Sequence, residues 1–307
     1  MEQNILNELT LCTFSTGSIM VREVLEDWLV FLGGKPKQII FTISPINNLP
    51  PIYEQLHVER LIDKIIYLEP MGRSVAQIEP EAVRAAIEAA QTKWILLIKL
   101  DTLPFRRGHQ DWLTNAIHIV EKYNCWGITG SGRIYHDACP VEQGYSKTQK
   151  FSNNFSIFPR QDWLDIQDIY VGKKFNGLLL TDSTDSVDSK GDALRFITEQ
   201  AVETFLEKSN RHMVVQWETL EWSVFHVNVW GEQLRQVRES YLARTKVSPY
   251  LFKGKPTFHS MIYPWDLYYG YLKPSLFKRL RIWFGHKRRK LFNPISVPNH
   301  PLLSSRK

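Results

Sequence analysis

Residues 93–101 read KWILLIKLD, a run of apolar side chains that ends on a carboxylate, Asp101. Residues 94–98 are apolar without a break, far too few to span a membrane. Such an unbroken run reads as a strand covered on both faces. The same signal recurs upstream in residues 9–15 (LTLCTFS), 38–44 (QIIFTIS) and 64–68 (KIIYL). Helical patterns lie between these runs. Ser18 is placed to cap a helix through Phe31, with Val21, Val24, Leu25, Trp28, Leu29 and Leu32 near the 3.6-residue period, and Gly33 and Gly34 stop it. Residues 53–62 read as a second helix, and Pro80 opens a third, EAVRAAIEAAQ. Four strands alternating with helical patterns predict a parallel, doubly wound α/β sheet with right-handed crossovers. Ligands bind such sheets at the carboxyl ends of their strands. Loops 13–18, 44–48, 69–74 and 101–108 therefore frame the expected site.

The second half is less regular. Residues 125–132 and 151–159 read as strands, and 181–192 (TDSTDSVDSKGD) as an exposed acidic loop. Residues 193–208 form an expected helix with Leu194, Ile197, Ala201, Val202, Phe205 and Leu206 on one face. Residues 212–216 and 223–229 read as strands, and 233–242 as a short helix.

The 307 residues are 43% hydrophobic and 23% charged, which excludes a disordered, collagen-like or low-complexity chain. No apolar stretch suits a polytopic membrane protein, and residues 1–10 carry no basic and apolar pattern of a secretory signal. Cys12, Cys125 and Cys139 are dispersed and odd in number. They suggest neither a metal site nor a disulfide framework, and they fit a reducing compartment. The net charge of +6 is uneven. Ten Lys and Arg lie in 273–307, where no acidic residue occurs, and the body before them carries 28 basic and 32 acidic residues. A mildly acidic globule with a basic tail is a poor general nucleic-acid binder, so no specific nucleic-acid partner is expected.

Five residues stand out as chemistry. Asp101, at a strand tip, is placed to hold a divalent cation against a diphosphate, or simply to cap the turn before Pro104. Glu199, near the start of the helix after the acidic loop, suits a general base or a solvated helix position, and Asp192 competes for the same role. His226 lies in the run WSVFHVNVW and is either a hydrogen-bonded core residue or a partner of Asp101. Arg73, in the turn MGRS, can reach a phosphate or stay on the surface. The segment GITGSG opens no helix and is not a dinucleotide fingerprint, and there is no P-loop, zinc spacing or nucleophile elbow.

The order Asp101, Glu199, His226 resembles the GT-A nucleotide-sugar glycosyltransferases, in particular the large inverting family two. LTLCTFSTGS stands at that family's first strand and nucleotide-binding turn, FTISPIN at its second strand end, and MGRSVAQ at its arginine-bearing turn. LLIKLDTLPF stands at its DxD-type motif, ITEQAVETFL at the helix that supplies the base, and VFHVNVW at its metal-site histidine. The resemblance spans roughly residues 9–245. This chain departs from the pattern in Asp101-Thr102-Leu103, which lacks the second carboxylate, in Glu199-Gln200, and in Ser44-Pro45.

The resemblance implies a GT-A-like, Rossmann-like, mostly parallel sheet. It divides the chain into a transferase domain 1–245, with a nucleotide-binding half 1–132 and an acceptor half 133–245, and an extension 246–307. It implies Glu199 or Asp192 as base and Asp101 and His226 as metal ligands. Thr13, Ser15, Ser44, Arg73, Lys99 and Asp101 would contact the nucleotide-sugar. The implied cofactor is a divalent cation, Mn2+ or Mg2+, and the implied acceptor a glycan or lipid-linked sugar. Two other readings remain: a degenerate scaffold that binds a glycan or protein, and a sugar nucleotidyltransferase, against which the glycine-poor TFSTGSIMVRE argues.

In 274–290 (PSLFKRLRIWFGHKRRK), Leu276, Phe277, Leu280, Trp283 and Phe284 share a helical face, and a purely basic cluster follows. A basic amphipathic helix carrying Trp and Phe suits an anionic membrane surface. The expectation is a cytoplasmic protein, peripheral on the inner face of the membrane. A C-terminal helix docked on the body is the alternative.

Overall fold

The computed structural model describes residues 5–44, 49–68, 75–106, 111–130, 137–142, 145–170, 197–216, 222–226, 230–242, 251–252 and 255–256, with 275–277, 280, 281 and 284. Arg73, Asp192, the acidic loop 181–192 and most of the basic tail lie outside these residues.

The expected α/β architecture is present. A nine-stranded sheet runs β3 (Lys64–Tyr67), β2 (Gln38–Ile43), β1 (Leu9–Ser15), β4 (Trp94–Lys99), β9 (Phe155–Pro159), β6 (Gly127–Thr129), β10 (Met213–Gln216), β8 (Tyr145–Thr148), β7 (Cys139–Glu142). Pairing is parallel from β3 to β4, and only β9 and β8 run against the other seven strands. A separate pair, β5 (Thr102–Arg106) with β11 (Trp222–His226), stands off the end of β4.

Alternation along the central strands explains the two layers of helices. Leu9, Leu11, Leu96 and Ile98 face one cluster, and Cys12, Ile95 and Leu97 face the other. The first cluster takes α1 (Val21–Leu32), α2 (Ile52–Val58), α4 (Trp112–Lys122) and, through Leu234 and Val237, α7 (Gly231–Leu242). The second takes α3 (Val75–Ala89), α5 (Arg160–Tyr170) and α6 (Ile197–Ser209). Its centre is aromatic: Trp126 stacks on Phe158 at 5.6 Å, and Phe158 on Trp163 at 6.1 Å. The central strands β1, β2 and β4 are thus covered on both faces.

Three local expectations are corrected. Ser18 does not cap α1; Met20 is the N-cap, without a side-chain cap, and Ser18 Oγ instead accepts from the Met20 N–H at 3.3 Å. The C-terminal signal is present, since Gly33 adopts φ 80 and donates to Leu29 and Val30. Helix α2 ends at Val58 rather than at residue 62, because Arg60 turns left-handed at φ 60. Helix α3 does not begin at Pro80 but at Val75, with Pro80 inside it. Proline's fixed φ suits the helix, and its missing N–H costs a single hydrogen bond near the start.

Candidate functional site

The register of the central strands assembles the site. Phe14 of β1 lies opposite Lys99 of β4, so Ser15 sits beside the step from Lys99 to Asp101. The Ser44 N–H donates to the Ser15 carbonyl at 2.9 Å, which brings the end of β2 alongside. On the other flank Ile98 pairs with Phe155 of β9, and the Lys99 N–H donates to the Asn154 carbonyl at 3.1 Å. Across the opening, His226 of β11 pairs in register with Thr102 of β5. A cavity of about 300 Å³ results, lined among others by Ser15, Glu79, Lys99, Asp101, Asn153, His226 and Trp230.

Asp101 is fully buried, and His226 Nε2 lies 3.0 Å from its Oδ2. Its other oxygen, Oδ1, is buried without a hydrogen-bond partner among the described residues. A buried carboxylate oxygen of this kind is costly unless something answers it. The two residues after Asp101 are spent on structure. Thr102 Oγ1 donates to the Lys99 carbonyl, and Leu103 is buried in the core.

The Lys99 ammonium meets the Glu79 carboxylate of α3 at 2.8 Å, with both side chains largely shielded. Glu79 and Val83, one helical turn apart, both line the cavity. Glu79 was absent from the sequence-based expectation. Its signal was hidden because the helix seemed to open at Pro80, which left Glu79 in the preceding loop.

Glu199 sits in the first turn of α6; it does not itself line the cavity, and its link to the cavity wall is Asn153, in the segment before β9. The Asn153 N–H donates to Glu199 Oε1 at 2.7 Å, and Asn153 Nδ2 donates to Thr198 Oγ1 at 2.8 Å. One turn later, Glu203 takes Lys150 Nζ at 2.7 Å and the Phe151 N–H at 3.4 Å. Two carboxylates of one helix thereby fasten residues 150–153. Burial pushes the Glu199 carboxyl up to about 7. The Asn153 hydrogen bond and the charge of Lys99 hold it down less strongly than burial raises it, and Glu79 and Glu203 add to the rise.

Among the other expected residues, Ser15 Oγ bonds the Tyr53 hydroxyl and accepts from the Gly17 N–H at 3.1 Å. Gly17 turns at φ 87, and Tyr53 Oη donates to the Ser18 carbonyl at 3.1 Å, so the loop after β1 is tied down. Burial pushes the Tyr53 hydroxyl up to about 12 and keeps it a donor. Thr13 stands apart from the cavity lining: it is buried, and its hydroxyl donates to the Ile98 carbonyl at 2.9 Å. Ser44 also stands apart from the cavity lining, and its backbone N–H bonds the carbonyl of Ser15, which does line it.

Among the described residues no group of three or more His, Cys, Asp or Glu is placed to hold a metal ion. The unanswered Oδ1 of Asp101 and the nearby His226 nitrogen nevertheless fit a small divalent cation that takes its remaining ligands from phosphate oxygens and water.

No family model and no curated protein matches the chain. Solved structures with a similar course are found. A mannosyltransferase from Pyrobaculum calidifontis in complex with GDP-Man and Mn2+ is 13% identical, with a TM-score of 0.45 over 94% of this chain and 81% of that one. S. aureus TarS 1–349 is 9% identical, with a TM-score of 0.40 over 79% of this chain and 67% of that one. A UDP-glucose pyrophosphorylase complexed with UDP-glucose is 9% identical, with a TM-score of 0.45 over 78% of this chain and 99% of that one.

Proposed function

We propose that this chain is a GT-A-type glycosyltransferase. It moves a sugar from a nucleotide-sugar donor to a glycan or lipid-linked acceptor, inverting the transferred carbon with Glu199 as general base. One observation carries the reading. Ser15, Lys99, Asp101 and His226, drawn from distant parts of the chain, line one cavity, and Glu199 is hydrogen-bonded to Asn153 of the same wall.

The roles follow from charge and placement. Ser15 and the backbone beside Ser44 flank the nucleoside end. The Lys99 ammonium, held by Glu79, faces the leaving diphosphate and offsets the charge that grows as the sugar–phosphate bond breaks. Glu199 takes the proton of the acceptor hydroxyl while its oxygen bonds the anomeric carbon. A carboxyl poised near neutrality is well matched to that transfer. A divalent cation, Mn2+ or Mg2+, would be held by Asp101 and His226 and would supply further positive charge at the diphosphate.

Melting shifts with UDP, GDP, dTDP and CMP, with and without Mn2+, identify the nucleotide. Transfer of a labelled sugar by the wild type and by Glu199→Gln then tests the role. The expected outcome is retained nucleotide binding with abolished transfer in the variant. Unchanged turnover removes Glu199 as base, and donor binding without any transfer by the wild type favours a degenerate scaffold.

The acceptor side of the proposal lies at the cytoplasmic face of an anionic membrane, reached through residues 274–290. Leu276, Phe277 and Phe284 are helical and 72%, 80% and 62% exposed. They belong to a segment whose only charges are basic. Among the described residues no helix is long and apolar enough to cross a membrane.

A further inference from the structure

Trp230 lines the cavity together with His226 and Asp101, yet 52% of its surface stays in water. Indole is among the side chains that gain most from burial, so a half-wet tryptophan on a cavity wall is a surface awaiting a partner. The backbone holds it there. Gly231 follows at φ 55, the left-handed region, and the Leu234 N–H reaches back to the Trp230 carbonyl at 3.4 Å. An added Cβ at Gly231 meets nothing within 4 Å, so the glycine serves the backbone angle and not a close approach. Trp230 thus stands just outside α7, four residues beyond His226 in sequence.

It shares one cavity with Ser15 and with the Asp101–His226 pair. The ligand expected past a diphosphate there is a sugar. A pyranose ring offers a face of C–H groups and a rim of hydroxyls. The C–H face packs on the electron-rich face of an indole, and the rim remains free for polar partners. We propose that Trp230 is a stacking platform for the apolar face of a pyranose ring. The proposal rests on the sugar-transfer reading. The ring belongs either to the donor or to the acceptor, and the two share this chemistry.

The test uses the full chain as wild type, Trp230→Ala and Trp230→Tyr. Calorimetry compares UDP with UDP-glucose and GDP with GDP-mannose. Saturation-transfer NMR measures the methyl pyranosides of glucose, galactose, mannose and N-acetylglucosamine. The expected result is a loss of about tenfold in sugar affinity in Trp230→Ala, largely restored in Trp230→Tyr, with affinity for the bare nucleotide kept. A loss confined to the nucleotide-sugar assigns the donor ring, and one confined to the free pyranosides assigns the acceptor ring. Equal sugar binding in wild type and Trp230→Ala overturns the proposal, as does an equal loss for bare nucleotide and nucleotide-sugar, which marks Trp230 as a base-stacking residue. If no nucleotide binds the wild type, the transferase reading fails, and the pyranoside arm still decides the role of Trp230.

Discussion

Replacing Glu199 by Gln should make the protein more stable at alkaline pH while removing its activity. The folded chain holds this carboxyl near 7, against an ordinary value of 4.5. Between those values the folded state binds a proton that the unfolded chain has released. Stability therefore falls as pH rises through this window, and the full penalty is present above about 7. At roughly 1.4 kcal/mol per tenfold change in proton affinity, the ionised Glu199 costs the fold at most about 3 kcal/mol. Gln keeps an oxygen for the Asn153 N–H and carries no charge, so it escapes that cost. Urea unfolding of both proteins, near pH 5 and near pH 8, reads the difference. The gap between variant and wild type should widen in favour of Gln by about 2 kcal/mol or more from the lower pH to the higher. A gap that does not change with pH refutes the reasoning, for it means that Glu199 is as well solvated folded as unfolded.

Three further outcomes are expected. Asp101→Asn should lower sugar transfer by about 100-fold or more, because it removes the charge that His226 and the diphosphate site share; initial rates check this, and an unchanged rate contradicts it. Gly127→Ala should destabilise by about 3 kcal/mol or more in urea, because an added Cβ falls 2.2 Å from the Ile157 carbonyl oxygen in the middle of the sheet. Full-length protein should float with vesicles containing anionic lipid, and a chain ending at Lys273 should not; binding unaffected by the truncation counts against the tail as anchor.

The parallel half of the fold was legible because β1, β2 and β4 are buried on both faces. Residues 94–98 could hardly be anything else, and their carboxylate tip pointed to the site. Strand β5 was missed: it begins directly after Asp101 and contains Pro104, both turn signals, and its partner β11 lies more than a hundred residues later. Strands β7 and β8 and helices α4 and α5 were passed over in the less regular half. At the site, Asp101 and His226 could be read from type and order, since each is an unusual polar residue beside an apolar strand. Glu79 could not, because its role depends on where α3 begins, and the helix runs through Pro80. Asn153 could not either, since it acts through its backbone N–H, and any residue but proline carries that group. Side-chain chemistry leaves a mark in sequence; backbone chemistry and helix register leave very little.

The claim on which the account turns is that the cavity between Ser15, Lys99, Asp101 and His226 is where a nucleoside diphosphate sits. A crystal structure of the chain with whichever nucleotide raises its melting temperature tests this directly. The account predicts the diphosphate against the Lys99 ammonium and the Asp101–His226 pair, with Glu199 bonded to Asn153 of the same cavity wall. A nucleotide bound elsewhere, such as in the groove between α5 and α6 lined by Asp162, Lys208 and Arg211, would contradict it.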